Sequence, residues 1–323
     1  MTSAFISLTL AIASIQTAAA RNAGTPDCPS PWTCEKMPMT IEFRQFIPVP
    51  SPVLAPLIPV PLMLQDEVKI RAGYMEENPK VPFQGNIIYL EGLADSMMNH
   101  HSFFKKLTQR GYRVIAFDYM GQGRSTGSMN NTRIKNIRTL SQKVWEKFAT
   151  KLDQVPTRTV IGWSTGGLAA YALGLHGLAD RMVLIAPGLV PNAIVGEGLG
   201  SWPPNEITLE SLTSDTYGPG NPDPHFDPIS PKSPVLVPSF AANLLGTAQL
   251  VSRKKMDPKV RGLVFLGSDD SYVDSPRTRE VLKEIAPHFL VHTYDGARHE
   301  IHNERQAIRE GLMEDVLDFL DQK

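Results

Sequence analysis

The chain has 323 residues, of which 42% are hydrophobic and 20% are charged, and its formal net charge at pH 7 is −1. This composition predicts a globular protein with a large hydrophobic core, in one large domain or two small ones. The near-neutral charge lacks the basic excess of nucleic-acid-binding proteins and the acidic blocks of disordered tails. We therefore expect no nucleic-acid partner and a substrate recognised by its shape and local chemistry.

The N-terminus has the pattern of an export signal. A short apolar run over residues 4–15 is followed by Ala18, Ala19 and Ala20, the small side chains that a signal peptidase requires. The run is too short to cross a bilayer as a helix, and no Lys or Arg precedes it. We predict a cleaved signal peptide over residues 1–20 and an exported protein; the alternative is an apolar N-terminal helix on a cytosolic protein.

The two cysteines, Cys28 and Cys34, lie just after the predicted cleavage site. In an oxidising compartment they would form a short disulfide loop, whereas in the cytosol they would be two unpaired thiols. Two cysteines alone do not make a zinc site, so we predict no metal site here.

Residues 21–64 form a Pro-rich N-terminal extension. Residues 21–40 are polar and contain prolines, and we expect them to be irregular. Between residues 47 and 64 six prolines interrupt an apolar run, which argues against a helix and against a central strand. The first interpretation is an extended edge segment. The second is a lipid-facing flap in transient contact with a membrane surface, because exposed apolar surface usually marks a contact site.

After this extension, short β-rich runs alternate with helical patterns. Strands are predicted at 86–90, 112–117, 159–162, 182–185, 262–266 and 289–294, and helices at 102–110, 134–152, 167–175, 276–285 and 304–320. This alternation is typical of a mostly parallel sheet with helices on both faces, an α/β class.

The alternation stops over residues 188–258, which are rich in Gly, Pro, Asn and Asp. We interpret this segment as an inserted lid with one or two helices near Phe240 to Val251. The core is then formed by residues 65–187 and 259–323.

One short sequence, Gly162-Trp-Ser164-Thr-Gly166, has the G-x-S-x-G pattern of a nucleophile elbow. Its glycines remove the clashes of a sharp strand-to-helix turn, and the N–H groups of the following helix face a developing oxyanion. The pattern alone is weak, but here a β-rich run precedes it and a helix-forming run follows it. We predict Ser164 as the nucleophile; the alternative is a purely structural Gly-Ser turn.

An acid and a histidine are expected to follow the nucleophile along the chain. Asp269, Asp270 and Asp274 follow the strand at 262–266, and His299 follows the next strand. A carboxylate there would hold the imidazole tautomer and stabilise the imidazolium. We predict His299 as the general base and interpret the other seven histidines as surface or core residues. Asp274 is expected to cap the next helix, which begins with a proline.

The second oxyanion donor is expected in the loop after an early strand. We predict the backbone N–H groups of Leu93 and Thr165 as the two donors of the oxyanion hole. The Gly-rich turn over residues 118–125 lacks the dinucleotide fingerprint G-x-G-x-x-G, and we interpret it as tight-turn packing behind the site.

Four motifs together resemble the lysophospholipase and monoacylglycerol lipase branch of the α/β-hydrolases, whose domain is also classed with serine aminopeptidases of the S33 type. They are Asp118-x-x-Gly-x-Gly-x-Ser125, Gly162-Trp-Ser-Thr-Gly-Gly167, Gly267-Ser-Asp-Asp270-Ser-Tyr-Val-Asp274 and Gly296-Ala-Arg-His-Glu300. The resemblance implies an α/β-hydrolase fold with an inserted lid, and cleavage of carboxylic esters, often of lipids, through an acyl-enzyme. It implies no cofactor, and no obligate protein partner is evident.

The resemblance also bears on individual residues. It aligns Asp270 with the acid of the triad; Val273 would pack beneath the loop, and Asp269 would face solvent or brace the loop. Family members usually carry His-Gly where this chain has Glu91-Gly92, which brings a titratable carboxylate close to the oxyanion loop. Glu91 would suit an aminopeptidase that anchors a substrate amine, which is the enzymatic alternative. A binding protein on an inactive hydrolase scaffold is the non-enzymatic one.

The lid contains the candidate substrate-binding residues. Trp202, Phe226 and Phe240 are predicted to form walls of the acyl pocket. The alternative is that they pack a small core belonging to the lid itself.

Overall fold

The computed structural model describes residues 28–49, 58–76, 80–150, 157–192 and 238–322. The strands are β1 (Trp32–Val49), β2 (Ile58–Met75), β3 (Gly85–Leu90), β4 (Tyr112–Phe117), β5 (Thr159–Trp163), β6 (Arg181–Ile185), β7 (Arg261–Gly267) and β8 (Leu290–Tyr294). The helices are α1 (His101–Gln109), α2 (Ile134–Phe148), α3 (Thr165–Leu175), α4 (Pro238–Val251), α5 (Ser275–Ile285) and α6 (Gln306–Asp321). Short 3₁₀ turns occur at Met129–Asn131 and Ile301–Asn303. The predicted signal peptide, residues 1–20, lies outside the described residues.

The strands form an eight-stranded sheet in the order β1-β2-β4-β3-β5-β6-β7-β8. The six strands from β4 to β8 along this order pair in parallel, and only β1 with β2 and β2 with β4 are antiparallel. The prediction of a mostly parallel α/β sheet is therefore confirmed.

Each face of the sheet has its own hydrophobic core. On one face Ile88 packs with side chains of α2, α3 and α5, including Leu140 and Leu168. On the other face Ile87 packs with α1 and α6, for example Phe104 and Leu312. Because consecutive strand residues point to opposite faces, a sheet covered on both sides favours apolar residues at successive positions, as residues 87–90 of β3 show.

The N-terminal segment differs from the expectation of irregular structure. β1 pairs with β2 along its whole length, while β2 pairs with β4 only through Ala72–Met75, so most of the hairpin extends past the sheet. The polar, Pro-containing stretch becomes a strand because β2 supplies a long antiparallel partner and because Trp32 and Met39 bury their side chains. The Pro-rich run is extended where it is described, in Ile47–Val49 and in β2, as predicted.

The predicted Cys28–Cys34 disulfide is present, at the base of the β1–β2 hairpin. Both cysteines pack against the core on the α1 and α6 face. The described helices include none that is long and apolar enough to cross a membrane.

The lid is described only at its two ends. Trp202 and Phe226 lie outside the described residues, so their predicted role stays a prediction. The helix expected near Phe240 to Val251 is α4, which packs against α3.

Candidate active site

Ser164 occupies the turn between β5 and α3. Its backbone has φ 55° and ψ −118°, a conformation that costs a non-glycine residue about 1–3 kcal/mol. Two hydrogen bonds hold the turn: the Ser164 N–H donates to the Ile185 carbonyl at 3.0 Å, and the Gly188 N–H donates to the Ser164 carbonyl at 2.9 Å. The strand-to-helix elbow expected from the motif is therefore present.

Glycines surround Ser164 because the backbone is crowded there. A Cβ atom on Gly162 would collide with the Gly166 carbonyl, and a Cβ atom on Gly166 would collide with the Leu90 carbonyl. The second contact seats the start of α3 directly against the loop that follows β3. The glycines thus bring the nucleophile turn and the predicted oxyanion loop together.

The structure brings Ser164, His299 and Asp270 into one hydrogen-bonded chain. Nε2 of His299 lies 2.8 Å from Oγ of Ser164, and its Nδ1 lies 2.9 Å from Oδ2 of Asp270. Asp270 and His299 are buried, while Ser164 remains partly accessible. A serine hydroxyl, an imidazole and a carboxylate in this order have the geometry needed to activate the serine oxygen.

The three aspartates after β7 have three different positions. Oδ1 of Asp270 accepts the N–H groups of Tyr272 and Val273 at 2.8 and 2.9 Å, which turns Oδ2 toward the histidine. Asp269 is exposed. Asp274 caps α5 by accepting the Arg277 N–H at 2.9 Å. The cap formed by Asp274 and the exposure of Asp269 agree with the sequence prediction, and the catalytic role of Asp270 stays a prediction.

Two aromatic residues that the sequence analysis did not single out hold the His299 loop. The indole N–H of Trp163 donates to the His299 carbonyl at 3.0 Å. The Tyr272 ring lies over the imidazole, with 4.9 Å between ring centroids. Each lies close in sequence to a predicted member of the triad. That proximity is the signal that could have identified them.

Gln122 organises the predicted oxyanion loop. Its side-chain oxygen accepts the Ala94 N–H at 3.0 Å, and its amide nitrogen lies 2.8 Å from Oε1 of Glu91 and 3.2 Å from the Gly92 carbonyl. The Ala94 N–H is therefore held by Gln122. The role of the preceding Leu93 N–H as an oxyanion donor stays a prediction.

Glu91 is part of this buried network and is not a surface anchor. It is 1% exposed, and Oε1 also accepts the Tyr119 N–H at 3.0 Å. Burial, followed by the nearby Asp118 and Asp95 carboxylates, raises the pKa of Glu91 well above its usual range. The expectation that Glu91 could anchor a substrate amine is therefore wrong, because the side chain is enclosed: Oε1 is occupied by internal donors, and Oε2 is buried without a hydrogen-bond partner among the described residues.

The Gly-rich turn packs behind the site, as interpreted from the sequence. Asp118 at its start forms a buried ion pair with Arg71, with 2.6 Å between Oδ2 and Nε. Its other oxygen accepts the Met97 N–H at 2.9 Å. Gly123 has φ 49°, and any side chain there would collide with Asp118. The turn thereby fixes the loop that follows the oxyanion segment.

Phe240, in the predicted lid, packs in one cluster with residues of the predicted oxyanion loop. It is 3% exposed and packs with Ala94 and Met129, and Leu93 contacts the same cluster. The contacts of Phe240 therefore reach beyond the side chains of the lid itself, which contradicts the alternative of an isolated lid core for this residue. Its predicted role as an acyl-pocket wall stays a prediction.

Comparisons with known proteins give the family and the fold. A family model described as serine aminopeptidase, S33 (Hydrolase_4) matches residues 82–214 and 227–306. The chain is similar in structure to a monoacylglycerol lipase from Paleococcus ferrophilus, with TM-score 0.61 and 18% identity over 78% of this chain and 98% of that chain. A soluble variant of monoglyceride lipase from Saccharomyces cerevisiae, in complex with a substrate analog, gives TM-score 0.60 and 14% identity over 78% and 92%.

A third solved structure is a highly thermostable carboxyl esterase from Bacillus coagulans in complex with glycerol. It has TM-score 0.56 and 18% identity over 90% of this chain and 98% of that chain. No curated protein sequence matches the chain. At these identities the solved structures show the fold.

Proposed function

Because the chain belongs to the serine aminopeptidase S33 family of α/β-hydrolases, we propose that it hydrolyses carboxylic esters of lipids, as a lysophospholipase or a monoacylglycerol lipase does. The observation that carries the proposal is the hydrogen-bonded chain from Ser164 through His299 to Asp270. The chemistry needs no cofactor.

In the first half of the reaction, Oγ of Ser164 attacks the ester carbonyl while Nε2 of His299 takes its proton. The negative charge that develops on the carbonyl oxygen is stabilised by the Leu93 and Thr165 N–H groups; one such donor is worth about 3 kcal/mol of barrier. His299 then protonates the leaving alcohol, and the acyl group stays on Ser164.

In the second half, His299 takes a proton from water, and the water oxygen attacks the acyl-enzyme. The acid leaves and the proton returns to Oγ of Ser164. Asp270 keeps Nδ1 of His299 protonated and stabilises the imidazolium in both halves.

An apolar acyl group suits the surroundings of the oxyanion loop. Leu93, Phe240 and the partly buried Leu244 and Leu245 form an apolar cluster where the lid helix α4 meets this loop. Two of the similar solved structures are described as monoacylglycerol or monoglyceride lipases. Both observations support a lipid ester over a small polar ester.

Aminopeptidase activity is the rival within the family, which takes its description from that activity. An aminopeptidase needs an accessible acidic group for the substrate amine, and the candidate, Glu91, is enclosed. Turnover of p-nitrophenyl esters with no turnover of aminoacyl anilides would support the esterase; the reverse preference would favour the peptidase.

The test of the proposal is Ser164→Ala. We expect the variant to keep its circular-dichroism spectrum and melting temperature and to lose hydrolysis of p-nitrophenyl esters and labelling by a fluorophosphonate probe. Wild-type protein that is folded but unlabelled would favour the inactive-scaffold alternative. Substantial turnover by the purified variant would exclude Ser164 as the nucleophile.

We also propose that the protein is exported and works outside the cytoplasm. The signal-peptide pattern over residues 1–20 and the Cys28–Cys34 disulfide support this location, since disulfides persist in oxidising compartments. The N-terminal sequence of the natural protein is expected to begin near Arg21. An N-terminus at Met1 together with two free thiols would contradict the proposal.

A further inference from the structure

A second cluster of titratable side chains lies buried beside the triad but is not part of it. His100, Glu300 and His302 are essentially inaccessible to solvent, and Glu300 directly follows His299 in the chain. The cluster joins the start of α1 to the 3₁₀ turn Ile301–Asn303, so it links two segments that are about 200 residues apart. None of the three side chains has a role in the acyl-transfer steps.

The donor atoms of the cluster converge on one point. Nε2 of His302 lies 3.0 Å from Nδ1 of His100. Oε1 of Glu300 lies 3.5 Å from Nδ1 of His100 and 3.8 Å from Nε2 of His302. A point equidistant from the three atoms is about 2.0 Å from each of them. This is the length of a zinc–imidazole or zinc–carboxylate bond.

His100 has an outer-shell partner of the kind found at metal sites, whereas Nδ1 of His302 is buried without a hydrogen-bond partner in the part of the chain that the structure describes. A histidine that binds a metal usually donates its other ring N–H to a carboxylate, and Nε2 of His100 lies 2.6 Å from Oδ2 of Asp95. The side-chain amide of Asn303 donates to Oε1 of Glu300 at 2.7 Å, and that of Asn99 donates to Oδ1 of Asp95 at 3.0 Å. Both carboxylates are therefore held in orientation.

The groups of the cluster also suit a cation. Glu300 supplies a buried carboxylate, and buried charges in proteins are commonly paired or bound to metals. The hydroxyl of Tyr89, 3.3 Å from Nε2 of His302, places a further oxygen at the cluster.

We propose that His100, Glu300 and His302 bind one divalent transition-metal ion, and that zinc fits best. Two imidazole nitrogens and one carboxylate oxygen form a ligand set that zinc takes readily. The bound ion would fasten the loop carrying His299 to the start of α1 and would thereby stabilise the fold. The enclosed site keeps it away from substrate, so its role is structural.

The test is direct measurement of zinc binding to untagged protein whose disulfide is formed. Because the ligands are enclosed, the protein is refolded from denaturant, once with a chelator and once with Zn²⁺, and bound zinc is measured by mass spectrometry after dialysis. We expect one zinc per chain and an X-ray absorption spectrum with nitrogen and oxygen ligands at about 2.0 Å and no sulfur. We also expect a rise in Tm of about 5 °C at free zinc about 100 times the Kd.

Three variants assign the zinc to this cluster. His302→Phe, which replaces the imidazole by another planar ring among aromatic neighbours, is expected to bind none. Glu300→Gln keeps the hydrogen bond from Asn303 and replaces the first variant in this test if His302→Phe misfolds. We expect its affinity for zinc to be lower than that of the wild type by about 100-fold or more. His292→Gln removes a histidine on β8, which pairs with Asp315 outside the cluster, and is expected to keep one zinc.

The triad is a competing place for the ion, since it also contains a histidine and a carboxylate. His299→Ala is therefore expected to retain one zinc per chain. Loss of zinc in this variant with retention in His302→Phe would overturn the proposal. Folded wild-type protein that holds no zinc after refolding in excess ion would also overturn it, and the two imidazoles would then share a direct hydrogen bond.

Discussion

At the scale of single residues, Asp270, the proposed acid of the triad, is held by three hydrogen bonds. Oδ1 of Asp270 accepts two backbone N–H groups and Oδ2 faces His299. We expect Asp270→Asn to lower kcat by about 10⁴-fold with little change in Tm, because the amide offers Nδ1 the wrong partner and favours the wrong imidazole tautomer.

The matched control is Asp269→Asn, at the exposed neighbour in the same loop. Its effect on kcat is expected to stay within about tenfold, since loss of a surface charge there leaves His299 untouched. Both values come from steady-state kinetics on one ester. Equal losses in the two variants would mean that another group orients the histidine.

Glu91 gives a prediction about pH. An acid with a raised pKa in the folded state binds a proton more tightly there than in the unfolded chain. Its contribution to stability is therefore complete below the unfolded value near 4.5 and is lost as the pH rises through the folded pKa. Between about pH 5 and about pH 8, we expect the Tm of Glu91→Gln to fall by less than the Tm of the wild type.

The measurement is the Tm of each protein at several pH values in that range. The slopes of Tm against pH are then compared between the two proteins. In the Glu91→Gln variant the side-chain amide oxygen can still accept the Tyr119 N–H, so the local fold has a substitute acceptor. Parallel slopes in the two proteins would show that the Glu91 carboxyl does not titrate differently on folding.

The sequence predicted the three residues of the hydrogen-bonded chain but not the residues that support it. Ser164, Asp270 and His299 could be chosen because each follows a strand and because motif and chain order restrict the choice. Gln122 and Arg71 could not, since their partners lie 25 to 47 positions away and only the folded chain brings them together. Glu91 was misjudged for the same reason: sequence position placed it near the site, but not the direction of its side chain.

At the scale of elements, α5 begins with an N-terminal cap that was predicted from the sequence. Asp274 precedes Ser275 and Pro276, and its carboxylate accepts the Arg277 N–H. We expect Asp274→Ala to lower the free energy of unfolding by about 1 kcal/mol, because the first turn loses a side-chain acceptor. Asp318→Ala, at an exposed position inside α6, is the control and is expected to change it by less than about 0.5 kcal/mol in urea titrations.

The strands and helices of the core could be predicted because both faces of the sheet are covered. Full burial produces uninterrupted apolar runs such as β3 and β5, and these runs are visible without knowledge of the partner strand. The β1–β2 hairpin could not be predicted in this way. Its pairing depends on a partner some tens of residues away, and prolines within it weaken the local signal for a strand.

At the scale of the whole molecule, the proposed site forms where three parts of the chain meet: the elbow, the loop after β3 and helix α4, at the end of the predicted lid. Phe240 of α4 lies in one hydrophobic cluster with Ala94 of the loop after β3. We expect Phe240→Ala to change the ratio of kcat/KM for long-chain over short-chain esters by about tenfold or more, as deletion of a ring enlarges an apolar pocket.

Leu250→Ala is the control on the same helix, since that side chain is 64% exposed and faces away from the cluster. Its acyl-length profile is expected to match the wild type. If both profiles stay unchanged while Tm falls only for Phe240→Ala, the phenylalanine packs α4 on the core without touching the acyl chain.

The backbone at Ser164 has a consequence for laboratory evolution. A serine with φ 55° is held in a conformation that glycine would adopt at lower cost. A screen that rewards heat resistance alone would therefore favour glycine at the one position where the proposed chemistry requires a hydroxyl. Variants enriched in such a screen would have to be assayed for turnover at each round, because the most heat-resistant clones would include inactive ones.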